Sequence, residues 1–125
     1  MKINELAKKY NLTKDDFWEL KRGTKSMWII THDACEKIAF QERIEFTLPT
    51  IFRDDNNNVA MVGGAKKGNK TEWSTGEASP RNCKMPYPFS MAEKRLKDRL
   101  TLKLIHAYEY QIYSDVEADA FKKEN

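Results

Sequence analysis

Apolar and polar residues change period several times along these 125 residues, and each change marks an element. Leu6, Ala7 and Tyr10 recur at helical spacing and Asn11 suits a C-cap, so a first short helix is expected there. Thr13 with Asp16 makes a capping-box pattern ahead of Phe17, Trp18 and Leu20, which predicts a second short helix ending near residue 21. The pair looks like the front of a helix-turn-helix. Gly23 and polar residues up to Ser26 follow where a recognition helix belongs, so residues 1–22 read as a helical packing element instead. Residues 27–30 are apolar and partly β-branched, predicting a strand that stops at Thr31, and Asp33 with Glu36 signals a helix to about Phe40. From Ile44 the period becomes two: Ile44, Phe46 and Leu48 alternate with Glu45 and Thr47, and Ile51 and Phe52 continue the apolar run. Pro49 lacks an amide donor and implies an edge position or a bulge. Residues 54–58 are a dense turn signal before the apolar run 59–62. Residues 63–70 read as a flexible basic tip, and 71–78 as a further strand carrying Trp73.

After an irregular link over 80–88, Ser90 with Glu93 forms a capping box that opens the longest helix, expected from about Met91 to Tyr108. Leu96, Leu100, Leu104 and Ala107 make one apolar stripe on it, and Met91, Leu102 and Ile105 a second. Arg95, Arg99 and Lys103 repeat at i, i+4 and i+8 and share a face between the two. Ser114 with Glu117 suggests a last short helix through Phe121. The expected fold is a single α+β domain: an antiparallel β-meander packed against the long helix, preceded by short N-terminal helices, with 27–121 as its core. A helix with two apolar stripes needs two covers, and a small sheet supplies one, so self-association is expected.

Charge refines this picture. The formal net charge is +3, but it is unevenly placed. Residues 1–65 balance at ten basic and ten acidic side chains; 66–103 carry ten basic against four acidic (+6); 104–125 carry two against five (−3). A polyanion meets the middle stretch first. No apolar run nears the roughly 18 residues of a membrane helix, and residues 1–6 have no apolar core of a secretory leader. Cys35 and Cys83 are far apart without metal-ligand spacing. The expectation is a cytoplasmic protein, the host cytoplasm if a phage encodes it, with reduced thiols, no membrane contact and no cofactor.

Catalytic patterns are thin. Residues 63–71 imitate a phosphate-binding P-loop, but Asn69 stands where the motif needs lysine and the segment joins two strands. His32 and His106 are the only histidines, neither with a partner at ligand spacing. Asp54, Asp55, Glu72 and Glu77 could in principle hold magnesium for a nuclease, though turn composition already explains the first two. Cys35 beside His32 on one helical turn is a poor nucleophile–base geometry. An enzyme is therefore not the expected class. Aromatic residues among the basic ones carry more information. Trp73, Tyr87 and Phe89 lie in or beside the +6 stretch, where cations can follow phosphates while rings take up bases. A strand tryptophan is, however, more often core than platform. The candidate nucleic-acid-binding residues are Lys66, Lys67, Lys70, Arg81, Lys84, Arg95, Arg99 and Lys103. The alternative for the helix row is an ordinary solvated face paired with Glu93, Asp98 or Glu109.

One set of residues carries a family resemblance. Gly76-Glu77-Ala78-Ser79 at a strand end, Tyr87-Pro88, Met91-Ala92-Glu93-Lys94-Arg95 with Lys97-Asp98-Arg99, then Tyr113-Ser114 and Glu117-Ala118-Asp119 resemble phage and prophage proteins. These in turn are similar to the Erf-type single-strand annealing proteins and, more distantly, to the Rad-fifty-two annealing domain. The resemblance spans roughly residues 27–121. It implies a protein of DNA recombination that binds single-stranded DNA without ATP, assembles as a ring or filament, and promotes strand annealing. It implies too that the basic groove lies on the long helix and hairpin, here Arg95, Arg99 and Lys103 with Lys66, Lys67 and Lys70. The alternative is a phage accessory module whose basic face docks an acidic protein partner.

Overall fold

A computed structural model describes residues 2–83 and 86–117. Helix α1 (Ile3–Tyr10) ends as its sequence predicts, with Asn11 in the left-handed region at φ 57°. The Thr13–Asp16 capping box also forms, but it closes only one 3-10 turn, Lys14–Asp16. Phe17, Trp18 and Leu20 then enter strand β1 (Phe17–Arg22), not a helix. Tertiary pairing decides this: β1 lies antiparallel to β2 (Lys25–Ile30) from Phe17↔Ile30 to Arg22↔Lys25. Gly23, at φ 61°, makes the tight turn between them. Strand β7 (Ile112–Ser114) adds in parallel to β2, giving a sheet in the order β1-β2-β7. Neither this sheet nor a strand in residues 17–22 is among the sequence-based expectations.

Helix α2 (His32–Gln41) is capped by Thr31, whose hydroxyl accepts from the Ala34 amide at 3.0 Å, rather than by Asp33. The second sheet is the expected antiparallel meander of β4 (Thr50–Asp55), β5 (Asn58–Lys67) and β6 (Lys70–Ala78). The short β3 (Glu45–Phe46) joins β5 on the same side as β4, and Pro49 lies in the break between them. Residues 63–67 are not a flexible tip. They continue β5 in full register with β6, and only Gly68 and Asn69 turn the chain. Gly63 and Gly64 belong in the ladder because close neighbours exclude side chains there: a Cβ on Gly63 would lie 3.0 Å from Leu96.

Helix α3 (Pro88–Leu104) starts three residues before its expected start and without a Ser90 cap. Pro88 occupies the first turn, where a missing amide costs nothing. The helix ends at Leu104 rather than near Tyr108; His106 turns left-handed at φ 61° and a 3-10 turn follows over Ala107–Tyr110. Its leucines divide between two cores. Ala92, Leu96, Leu100 and Leu104 pack on Val59, Met61, Ala65 and Ala78 of the second sheet, with Met91 on this side as well. Leu102, Ile105 and Ala107 pack with Leu6, Tyr10, Ile30, Ile38 and Ile112 in the first layer. Both stripes are thus covered within one chain. The argument for self-association from an uncovered stripe does not hold.

Candidate nucleic-acid interface

In the row Arg95, Arg99 and Lys103 the two arginines are turned into the fold, and Lys103 is half-buried at its end. Arg95 is 3% exposed. Its guanidinium donates to the Glu77 carbonyl at 2.8 Å, the Asn82 carbonyl at 2.7 Å, Asn82 Oδ1 at 3.0 Å and the Val116 carbonyl at 3.0 Å. Arg99 donates to the Thr75 carbonyl at 2.8 Å and grips the Glu77 carboxylate with both terminal nitrogens. Lys103 donates to the Trp73 carbonyl at 2.9 Å. The three cations therefore cap the carbonyls of residues 77, 75 and 73, which edge strand β6 turns away from β5. The spacing explains the match. Four helical residues rise about 6 Å and two strand residues about 6.8 Å, so a row at i, i+4, i+8 runs in step with alternate carbonyls of a strand. Like-charge repulsion along the row is relieved by these dipoles and by Glu77, with no external anion required. This corrects the expectation that Arg95 and Arg99 form a solvent-facing track, and also the alternative pairing with Glu93, Asp98 or Glu109.

The remaining candidates separate. Lys67 pairs with Glu42 at 3.2 Å, and Lys70 donates to the Leu104 carbonyl at 3.2 Å and meets His106, closing the C-terminus of α3. Arg81 is exposed in the turn after β6, while Lys84 lies outside the described residues. Lys66 is exposed, and alternation along β5 points it away from α3, because Ala65 is buried against the helix side.

That outward face of the second sheet is the open surface. On β6 the buried positions are Ser74, Gly76 and Ala78, so Thr71, Trp73, Thr75 and Glu77 look outward. Trp73 is 66% exposed, and the plain core reading of this residue is wrong. Opposite it in the ladder stands Gly64, which adds no side chain beside the indole. Lys66 is its diagonal neighbour, and Lys103 Nζ stands 5.6 Å from the ring centroid. Acidic groups share the face: Glu45 pairs in register with Lys66, and Glu77 is held by Arg99, whose guanidinium keeps this carboxyl below its ordinary range. The pattern in sequence held the signal. Three small residues alternating with Thr, Trp, Thr and Glu mark which side of a strand lies under a helix.

A second feature joins residues 66 positions apart, and no local pattern links them. His32 opens α2, and its Nδ1 lies 2.8 Å from Asp98 Oδ1 on α3. Its Nε2 lies 2.6 Å from Glu36 Oε1. Asp98 is 1% exposed, and its Oδ2 is buried without a hydrogen bond of ordinary geometry, with the Ser114 hydroxyl and Cys35 thiol beside it. Burial pushes the Cys35 thiol well above its usual range, so it is no nucleophile at neutral pH. These groups line a cleft of about 460 Å³ between α2 and α3, walled by Phe40, Ile44 and Phe46 and rimmed by Lys94 and Lys97.

Among the described residues no group of three or more histidine, cysteine or acidic side chains could hold a metal ion, and no helix is long and apolar enough to cross a membrane. No family model, no curated protein and no solved structure matches this chain.

Proposed function

We propose that the protein binds single-stranded DNA across the open face of its second sheet, with Trp73 as the platform on which a base stacks. The observation that carries this is an indole two-thirds exposed on a paired strand, opposite Gly64 in the ladder and set between Lys66 and Lys103. A stacked base takes its affinity from the ring face, which every base can use, and lysines beside it meet the phosphates without reading sequence. ATP-independent annealing of complementary strands is the activity that the resemblance in residues 76–99 adds to this reading. Self-assembly belongs with it. Support comes from the edge opposite β6, where Leu48, Ile51 and Phe52 are exposed along β3 and β4. The β6 edge itself is closed by the cation row.

The test is the affinity for a labelled single-stranded oligonucleotide over a range of salt. Phosphate contacts make log affinity fall linearly with log salt, by about 0.7 per contact on a single strand. With Lys66 and Lys103 each meeting one phosphate the expected slope is about 1.4, equal for oligonucleotides of different sequence. Absence of binding at low salt would overturn the reading and favour the alternative, a basic face that docks an acidic protein.

A further inference from the structure

Both ring nitrogens of His32 lie within hydrogen-bond distance of carboxylate oxygens, Asp98 at 2.8 Å and Glu36 at 2.6 Å. An ionised carboxylate only accepts, so both contacts are satisfied together only when both nitrogens carry hydrogen, that is, by the imidazolium. The two carboxylates differ in kind. Asp98 is buried on α3, and Glu36 is exposed one turn along α2 from His32. The His32 amide is fixed as well, donating to Asp115 Oδ1 at 3.0 Å just past β7. One residue, through its ring and its amide, thus ties α2 to α3 and to the end of β7.

We propose that His32 is a pH-operated latch between the two layers, closed as the imidazolium and loosened when it loses its proton. The neutral ring keeps one N–H for Asp98, but that donor is no longer charged and the buried carboxylate loses its counter-charge. The Glu36 contact within α2 is lost with it, so α2 is held less tightly to α3 and the cleft between them is freer to open.

The charged groups around the ring set the direction. From α3, Asp98 favours the cation and Lys94 opposes it; from α2, Glu36 favours it; beyond β7, Asp115 adds negative charge at the backbone end. The Asp98 hydrogen bond outweighs burial, which acts the other way, and His32 titrates above its ordinary value. A group whose pKa is raised by folding stabilises the fold fully below its unfolded value, about 6.5 for histidine. That stabilisation is lost as pH rises through the higher, folded value. The latch is closed in mild acid and opens as pH rises through this raised folded value.

Two ring titrations by proton NMR test this, because the chain has only two histidines and His106→Gln identifies the His32 signal. The expected His32 midpoint lies above about 6.5. Glu36→Gln, at an exposed position, lowers it with the fold intact, and Asp98→Asn lowers it further if that variant folds. In the wild type, hydrogen-exchange protection of amides in α2 falls through the same midpoint, beyond the intrinsic pH effect on exchange. A His32 midpoint at or below the ordinary value, a midpoint unmoved by Glu36→Gln, or protection of α2 that ignores it would overturn the latch.

Discussion

Arg95 and Lys66 are both cations of the same basic stretch, and their substitution separates what each does. Arg95→Ala strands the buried carbonyls of Glu77, Asn82 and Val116, and each unsatisfied acceptor costs about 1–3 kcal/mol. The expected loss is about 3 kcal/mol or more by urea unfolding. Lys66→Ala, on the outward face, changes stability by less than about 0.5 kcal/mol while weakening oligonucleotide binding. Equal stability effects from the two substitutions would contradict the placement of both. Trp73 illustrates the same division. Its carbonyl serves the fold through Lys103, and its ring is left to solvent.

At the scale of elements, the decisive contact is between α3 and β6, and one glycine permits it. A Cβ on Gly76 would lie 2.1 Å from the Ala92 carbonyl oxygen and 2.8 Å from Leu96 Cβ. The helix backbone cannot yield without lifting from the sheet. Gly76→Ala is expected to cost about 1–3 kcal/mol, as overpacking does, visible as a lowered Tm; an unchanged Tm would show that α3 does not lie so close. Glu77 faces the other way and meets Arg99, and Ala78 is buried. Gly76, Glu77 and Ala78 on the strand, with Ala92, Leu96 and Arg99 on the helix, thus fasten the long helix to the meander. For this reason the fold class was legible from sequence while the site was not. Helix–sheet packing leaves local traces: leucines at four-residue spacing, glycine and alanine alternating on a strand, a proline where an edge breaks. The partners of Arg95 and Arg99 are carbonyls and side chains 13 to 24 positions away, which no local pattern records. Residues 17–22 show the converse. The capping box forms, but pairing of β1 with β2 overrides the local helical signal after one turn.

For the whole molecule, the two-core arrangement makes stability depend on pH from both sides. The Arg99 guanidinium holds Glu77 below the ordinary carboxylate range. Its contribution is present above the unfolded value, about 4.3, and is lost as pH falls through the lower folded value. Thermal melts should therefore show Tm dropping on the acid side, and Glu77→Gln should flatten that drop; an acid limb identical in the variant would remove this pair from the account. The same whole-molecule view bears on the proposed DNA site. With α3 spent on closing the β6 edge and on joining the two cores, the outward face of the second sheet is a surface where an exposed ring and cations coincide. The most direct measurement is the affinity of Trp73→Ala for a single-stranded oligonucleotide at low salt, with the Tm of the same sample. Losing one stacked base removes about 1–3 kcal/mol, so the account predicts weakening of roughly 5- to 150-fold with Tm nearly unchanged, and largely restored binding in Trp73→Phe. A variant that folds normally and binds as tightly as the wild type would contradict it.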